Sequence, residues 1–252
     1  MYMKKQIHTS PVAEAFLSKD ECPFCHLEKD AQQRAIRFFA GPGASYMEPG
    51  IRGITNRLGF CGNHLKQLYD YGNVLGNALM LQSHMEHILL ELEDMAKPQT
   101  KTEKTGLFHK RAALQNTTAQ HLQHRVESCA ICQQIEESMD RNFEVFFSLL
   151  SEPEFRRYVE ESNGFCLRHF ARLLQEADHQ LTHKDVQWFY PAVYDVMQRN
   201  MARVKADLDL LIAKHDYRNA DLDWGNARDS VPRAMQKLAG IYPADAPCKK
   251  DS

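Results

Sequence analysis

No stretch of the chain reaches the 18 or so consecutive apolar residues of a membrane-spanning helix, so no membrane span is expected. The opening MYMKKQIHTSPVAEAF carries two lysines but neither an apolar run nor a small-residue cleavage site, so no signal peptide is expected. Charge of one sign is missing too. Lys and Arg number 31 against 33 Asp and Glu, a formal net charge of −2, so a nucleic-acid partner is not expected. No segment alternates apolar and polar residues with the period of a strand. What remains is a chain of ordinary globular composition, 43% apolar and 25% charged over 252 residues. It is long enough for one large domain or two of about 100 residues, and for a sizeable core without staples. The expected setting is cytoplasmic, where thiols stay reduced and clustered cysteines read as metal ligands or catalytic groups rather than disulfides.

There are seven cysteines, at positions 22, 25, 61, 129, 132, 166 and 248. The first two lie in CPFCH, residues 22–26, which fits the C-x-x-C-H attachment sequence of covalent haem. An internal repeat argues against that reading. Cys22-x-x-Cys25 is followed by Gly59-Phe60-Cys61-Gly62-Asn63-His64. Cys129-x-x-Cys132 is followed by Gly164-Phe165-Cys166-Leu167-Arg168-His169. The CxxC pairs are offset by 107 residues and the CxxH pairs by 105. At the position equivalent to His26 the second copy has Gln133, so His26 is incidental to the pattern. What both copies keep is three cysteines and a distant histidine, the signature of a tandem duplication.

The spacing suits a metal. C-x-x-C aims two sulfurs at one ion across a tight turn, and Pro23 suits the first turn of a helix. Residues three apart share a helix face, so Cys61 with His64, and Cys166 with His169, can face the same ion. The glycines at 59 and 164 mark the turns that introduce those helices. Two Cys3His sites are therefore expected, one per copy: Cys22, Cys25, Cys61 and His64, then Cys129, Cys132, Cys166 and His169. Cys3His is a closed tetrahedral set for structural zinc. Two zinc ions per chain is the first choice. An iron–sulfur cluster with one histidine ligand is the main rival, and copper, a metal-free redox dithiol or simple packing of the cysteines remain open. Helix N-termini near the ligands would offset the thiolate charge.

The rest of the chain reads as helix, giving an all-α fold of two tandem helical repeats, each a small bundle tied by its site. The expected segments are residues 1–97 for the first repeat and 98–121 for a basic polar linker. The second repeat takes 122–217, and 218–252 form a tail with a short helix. After Cys25 a helix puts Leu27, Ala31, Ala35 and Phe38 on one face. A long helix to Met95 carries a broad apolar stripe through Val74, Leu75, Ala78, Leu79, Leu81, Met85, Ile88, Leu89 and Leu92, read as core. Ser151 and Pro153 open a short helix to about Glu161, and another long helix starts near His183, with Pro191 placed to kink or restart it. EKTG in the linker lacks the flanks of a phosphate loop. His84 with His87, and Glu176 with His179, have metal-compatible spacing but no matching partners in the other copy, and read as structural. Cys248, in a polar end, is not expected to be a ligand.

With the duplicated quartet and the ending KHDYR…RDS…RA…L.G (Lys214 to Gly240), the chain resembles a prokaryotic family of unknown function that carries CxxC and GFCxxH twice. The resemblance covers most of the chain. One departure is Ala130, where the first copy has Pro23. It implies that the quartets act together and supplies no activity. Three classes of function are therefore carried forward. The first is a binding or adaptor protein with structural zinc and an unknown protein or small-molecule partner. The second is an iron–sulfur, redox or metal-handling protein. The third is an enzyme with a site between the repeats built from His84, His87, Glu176 or the tail arginines.

Overall fold

A computed structural model describes residues 10–43, 45–97, 117–219, 221–240 and 242–243. Most of the expected linker (98–116), EKTG and Cys248 lie outside them. The described residues hold α-helices and short 3-10 turns and no strand, as expected of an all-α chain. The helices are α1 (Pro11–Leu17), α2 (Pro23–Ala40), α3 (Pro49–Leu58), α4 (Gly62–Tyr71), α5 (Val74–Ala96), α6 (Thr117–Glu127), α7 (Ala130–Leu149), α8 (Pro153–Glu161), α9 (Leu167–Gln180), α10 (His183–Lys214) and α11 (Ser230–Ala239). The chain forms two compact units that do not follow chain order. The first is Met1–Ala31 with Glu136–Ala246, and the second is Gln32–Ile135 with Pro247–Ser252. The boundaries fall inside α2 and α7.

The first unit is built on phenylalanine. Phe24, one residue before Cys25, stacks on Phe143 of α7 with ring centroids 4.2 Å apart and lies 6.0 Å from Phe165. Phe16 of α1 reaches Phe146 and Phe155 at 5.5 and 5.3 Å. All six rings are fully buried. A buried aromatic removes 150–250 Å² from water, so this cluster is the main apolar contribution to the unit. α10 adds one stripe of Phe189, Val193, Val196, Met197 and Val204, and it runs through Pro191 as a single helix rather than restarting there. The tail packs back onto this body through α11, which buries Ser230, Arg233, Gln236 and Lys237 while Val231, Met235 and Leu238 face out.

In the second unit the far half of α2 buries Ala35, Ile36, Phe39 and Ala40, whereas Phe38 is exposed, so the inward face is shifted by one residue from the expected one. Phe39 meets Phe60 of the GFC loop at 5.8 Å. α5 departs further from expectation. Its buried residues are Gly76, Met80 and Ser83, while Val74, Leu75, Leu81, Met85, Leu89, Leu90 and Leu92 are exposed. The helix is held instead by its polar side. The Asn73 side chain accepts from the Gly76 N–H at 3.0 Å and donates to the Ala40 carbonyl at 2.8 Å. Ser83 donates to the Asn56 side-chain oxygen at 2.7 Å, and His84 Nδ1 lies 2.8 Å from the Asn56 carbonyl. Glu91 takes Arg125 and His121 from α6. These specific hydrogen bonds fix which face turns inward, and they override the apolar stripe.

Candidate metal centres

Each ligand motif begins at the start of a helix. Cys22, Cys61, Cys129 and Cys166 immediately precede the first turns of α2, α4, α7 and α9, and their carbonyls accept the first helical hydrogen bonds, from His26, Leu65, Gln133 and Phe170. Cys25, His64, Cys132 and His169 follow three residues later on the same face. The glycines of the two GFC turns have positive φ, +61° at Gly59 and +82° at Gly164. With ψ of −152°, Gly59 occupies a region essentially closed to other residues. A Cβ there would stand 2.5 Å from His84 Nε2. The glycine thus lets the chain reverse from α3 into the cysteine turn beneath the His84 ring.

The eight residues come together as two groups of four, but not by copy. Cys22 and Cys25 meet Cys166 and His169, and Cys61 and His64 meet Cys129 and Cys132. The expected grouping within each copy is thereby corrected. The reason is the length of the helix that follows each CxxC. From Cys25, α2 climbs about 21 Å over fourteen residues (1.5 Å per residue) before Phe39 contacts the first copy's own GFC loop. Cys25 and the contact with the first GFC loop therefore lie at opposite ends of α2. Hydrogen bonds to backbone carbonyls beside the cysteine turns accompany the crossed pairing. The Ala130 N–H donates to the Gly59 carbonyl at 2.9 Å and Ser128 Oγ to the Leu58 carbonyl at 2.7 Å. In the first unit Asn163 donates to the Lys19 carbonyl at 2.5 Å. There the fully buried Lys237 bonds the carbonyls of Glu21 and Asn163, each just ahead of a cysteine turn.

The geometry matches one ion per group. In each, all four ligand atoms lie within 4.8 Å of one another. His169 Nδ1 is 3.5, 3.4 and 3.3 Å from the sulfurs of Cys22, Cys25 and Cys166, and Cys25 and Cys166 are 3.6 Å apart. His64 Nδ1 is 3.3 Å from each sulfur of Cys61, Cys129 and Cys132, and Cys61 and Cys132 are 3.9 Å apart. Metal–sulfur bonds of about 2.3 Å and metal–nitrogen bonds of about 2.0 Å in a tetrahedron give edges of roughly 3.5–3.8 Å. In both histidines the other nitrogen has an outer partner. His169 Nε2 lies 3.7 Å from Glu28, itself clamped by Arg168, and His64 Nε2 lies 3.2 Å from the Gln32 amide. Such partners fix ring orientation in metal sites.

The two groups differ in access. Cys22, Cys25, Cys166 and His169 are all buried, whereas Cys132 is exposed and Cys61 part-exposed. Their electrostatics differ as well. Hydrogen bonds shared with Cys22 and Cys25 hold the Cys166 thiol far below its usual range, and the same sharing with Cys166 and Cys22, with burial, holds Cys25 far above it. Burial works against a charge on His169, but hydrogen bonding and charge from the Cys166 and Cys22 sulfurs outweigh it, and the imidazole is pushed up to about 9. His64 is pushed down by burial. Two helix N-termini face each group and favour thiolate.

The other sequence candidates lie outside the two groups, each in contacts of its own. His26 pairs with Asp20 at 2.5 Å, turned to a carboxylate. His84 covers the Gly59 turn, and His87 sits 3.2 Å from Glu91 in the α5–α6 ion pair. Glu176 accepts from Gln180 at 3.0 Å. Arg218 pairs with Asp216, Arg228 lies over Trp224, and Arg233 bonds Asp207 and Asp229. Lys237 and Glu21, whose buried charges brace the first group together with Arg203, carry no sequence signal beyond sitting in an amphipathic tail and beside a cysteine.

A family model described as "Family of unknown function (DUF6062)" matches residues 3–245. The chain is also similar to an "Uncharacterized 23.9 kDa protein in xynA 3'region" of Caldicellulosiruptor sp. (strain Rt8B.4). The two are 21% identical over 213 residues, covering 82% of this chain and 88% of that one. No solved structure matches.

Proposed function

The chain belongs to the DUF6062 family, whose function is unknown, and from its two Cys3His groups we propose that it is a helical zinc protein. Its ligands would be Cys22, Cys25, Cys166 and His169 for one ion and Cys61, His64, Cys129 and Cys132 for the other. The observation that carries this reading is the spacing of the ligand atoms, 3.3–3.9 Å along the measured edges, which suits a single tetrahedral ion. A cluster of several iron atoms, each taking its own ligand, would hold the sulfurs farther apart. Three thiolates and a neutral imidazole with Zn²⁺ carry a formal charge of about −1, which the helix N-termini offset.

All four positions are protein atoms, which is the pattern of structural zinc rather than of catalytic zinc with an open position. The ions would therefore tie the CxxC turn of one copy to the CxxH turn of the other. The protein's service would be to present the resulting surface to another molecule. A reducing compartment such as the cytoplasm suits six thiolates. The test is elemental analysis with a visible spectrum, on protein purified without oxygen and without added metal. Two zinc ions per chain and no colour are expected. Iron with sulfide and absorbance near 400 nm would overturn the zinc reading in favour of clusters and redox chemistry.

A further inference from the structure

α5 turns its polar side to its own unit and its apolar side to water. The apolar residues of the helix include a seven-residue repeat, exposed at Val74, Ala78, Leu81, Met85 and Leu92 and half-buried at Ile88 and Met95, with Leu75, Leu89 and Leu90 exposed outside it. Val74, Leu81, Ile88 and Met95 recur every seven residues, and Ala78, Met85 and Leu92 fall four after and three before them. This alternation of four and three is the seam of a coiled coil, in which helices pair by setting such side chains into each other's gaps. A surface helix of a monomer has no use for it, because the same stripe would normally face its own core. Here Val74 is 79% exposed, Met85 64% and Leu92 41%.

We propose that this face binds a second copy of the same chain, forming a two-fold dimer through α5. Three observations favour a copy over another partner. The first is symmetry. Met85 lies at the middle of the seam, so two copies crossing there bury the same residues on both sides, as a two-fold interface requires. The second is charge. The positions flanking the seam on one side are Leu75, Gln82, Leu89 and Ala96, and on the other Asn77, His84 and Glu91. The only formal charge among them, on Glu91, is already paired with Arg125, so self-pairing brings no like charges together. The third is size. The exposed side chains of this face offer roughly 600 Å² per chain, hence about 1,200 Å² for two copies, which reaches the lower range of specific interfaces.

The test is the solution mass of the full chain by light scattering at micromolar concentration, with variants at the seam's centre. The wild type is expected at twice the chain mass, and Met85→Leu likewise. Met85→Lys and Met85→Glu, each placing a charge in the seam, are expected to weaken the dimer by about a hundredfold or more and run as monomers. An equimolar mixture of those two variants is expected to regain a dimer, since Lys and Glu then face each other near the two-fold axis. This restoration also shows that neither variant is misfolded. A monomeric wild type, or a dimer that both charged variants leave intact, overturns the proposal. So does a mixture that stays monomeric.

Discussion

Two double substitutions distinguish the crossed grouping from the within-copy one. Cys22 and Cys166 belong to different copies but to one group, whereas Cys22 and Cys61 belong to one copy but to different groups. Serine is isosteric with cysteine but a poor ligand for a thiophilic ion. Cys22→Ser with Cys166→Ser is therefore expected to remove one ion and leave one. Cys22→Ser with Cys61→Ser is expected to remove both. Binding of a structural zinc ion is worth about 10–16 kcal/mol near neutral pH in small zinc modules. That is comparable with the whole stability of a domain, about 5–15 kcal/mol. Each unit that loses its ion should thus lose its cooperative thermal transition, while a unit that keeps its ion retains it. Metal per chain by mass spectrometry and a calorimetric scan read both effects. The opposite pattern, one ion left in the Cys22/Cys61 variant and none in the Cys22/Cys166 variant, would refute the crossed pairing. Two ions in every variant would refute these ligands altogether.

Three further outcomes follow from the geometry. Because Cys132 is exposed while the Cys22–His169 group is buried, a chelator should strip the Cys61–Cys132 group first. Metal loss should then be biphasic, and simultaneous loss would contradict the difference in access. In the metal-free chain His169 is protonated below about 9, and a metal needs it neutral, so binding at that group must displace an imidazole proton at pH 7 and tighten as pH rises towards 9. His64, pushed down by burial, is already neutral there and releases none. An NMR titration of the metal-free chain reads the two imidazoles separately from the thiols, and an imidazole at position 169 titrating near 6.5 would remove the difference. Gly59→Ala should cost about 1–3 kcal/mol from the forced positive φ alone, with the His84 contact added. Cutting the ring back with His84→Ala should return only the contact part, and a stability for Gly59→Ala equal to wild type would show that the turn relaxes freely.

Much of the site was legible in the sequence because chemistry leaves residue types behind. A cysteine, a cysteine, a cysteine and a histidine occurring twice at the same spacing identify eight side chains that come together in fours. A repeat shows which residues are equivalent, however, and not which are neighbours. That depends on bonds that join turns distant in sequence, such as Ala130 to Gly59. The helices were legible from periodicity and from Pro153 at the start of one of them. The apolar stripe of α5 was legible as a stripe but not as an outer face. Period reveals that a helix has an apolar side, while Asn73, Ser83, His84 and Glu91 decide which side turns in. Lys237 was invisible for a related reason: a buried lysine is recognised only by the carbonyls it satisfies.

The crossed pairing also orders the protein's birth. As the chain leaves the ribosome, Cys61 and Cys132, 71 residues apart, are complete as soon as the second CxxC has emerged. Cys22 and Cys25 were made first but must wait for His169, 147 residues after Cys22, before their group can close. During that interval the earliest-made thiols are the last to be protected. Any fragment that ends before Cys129 holds neither complete set, although it contains every motif once. Neither the first CxxC with the first CxxH nor the second pair can thus complete a group without the other.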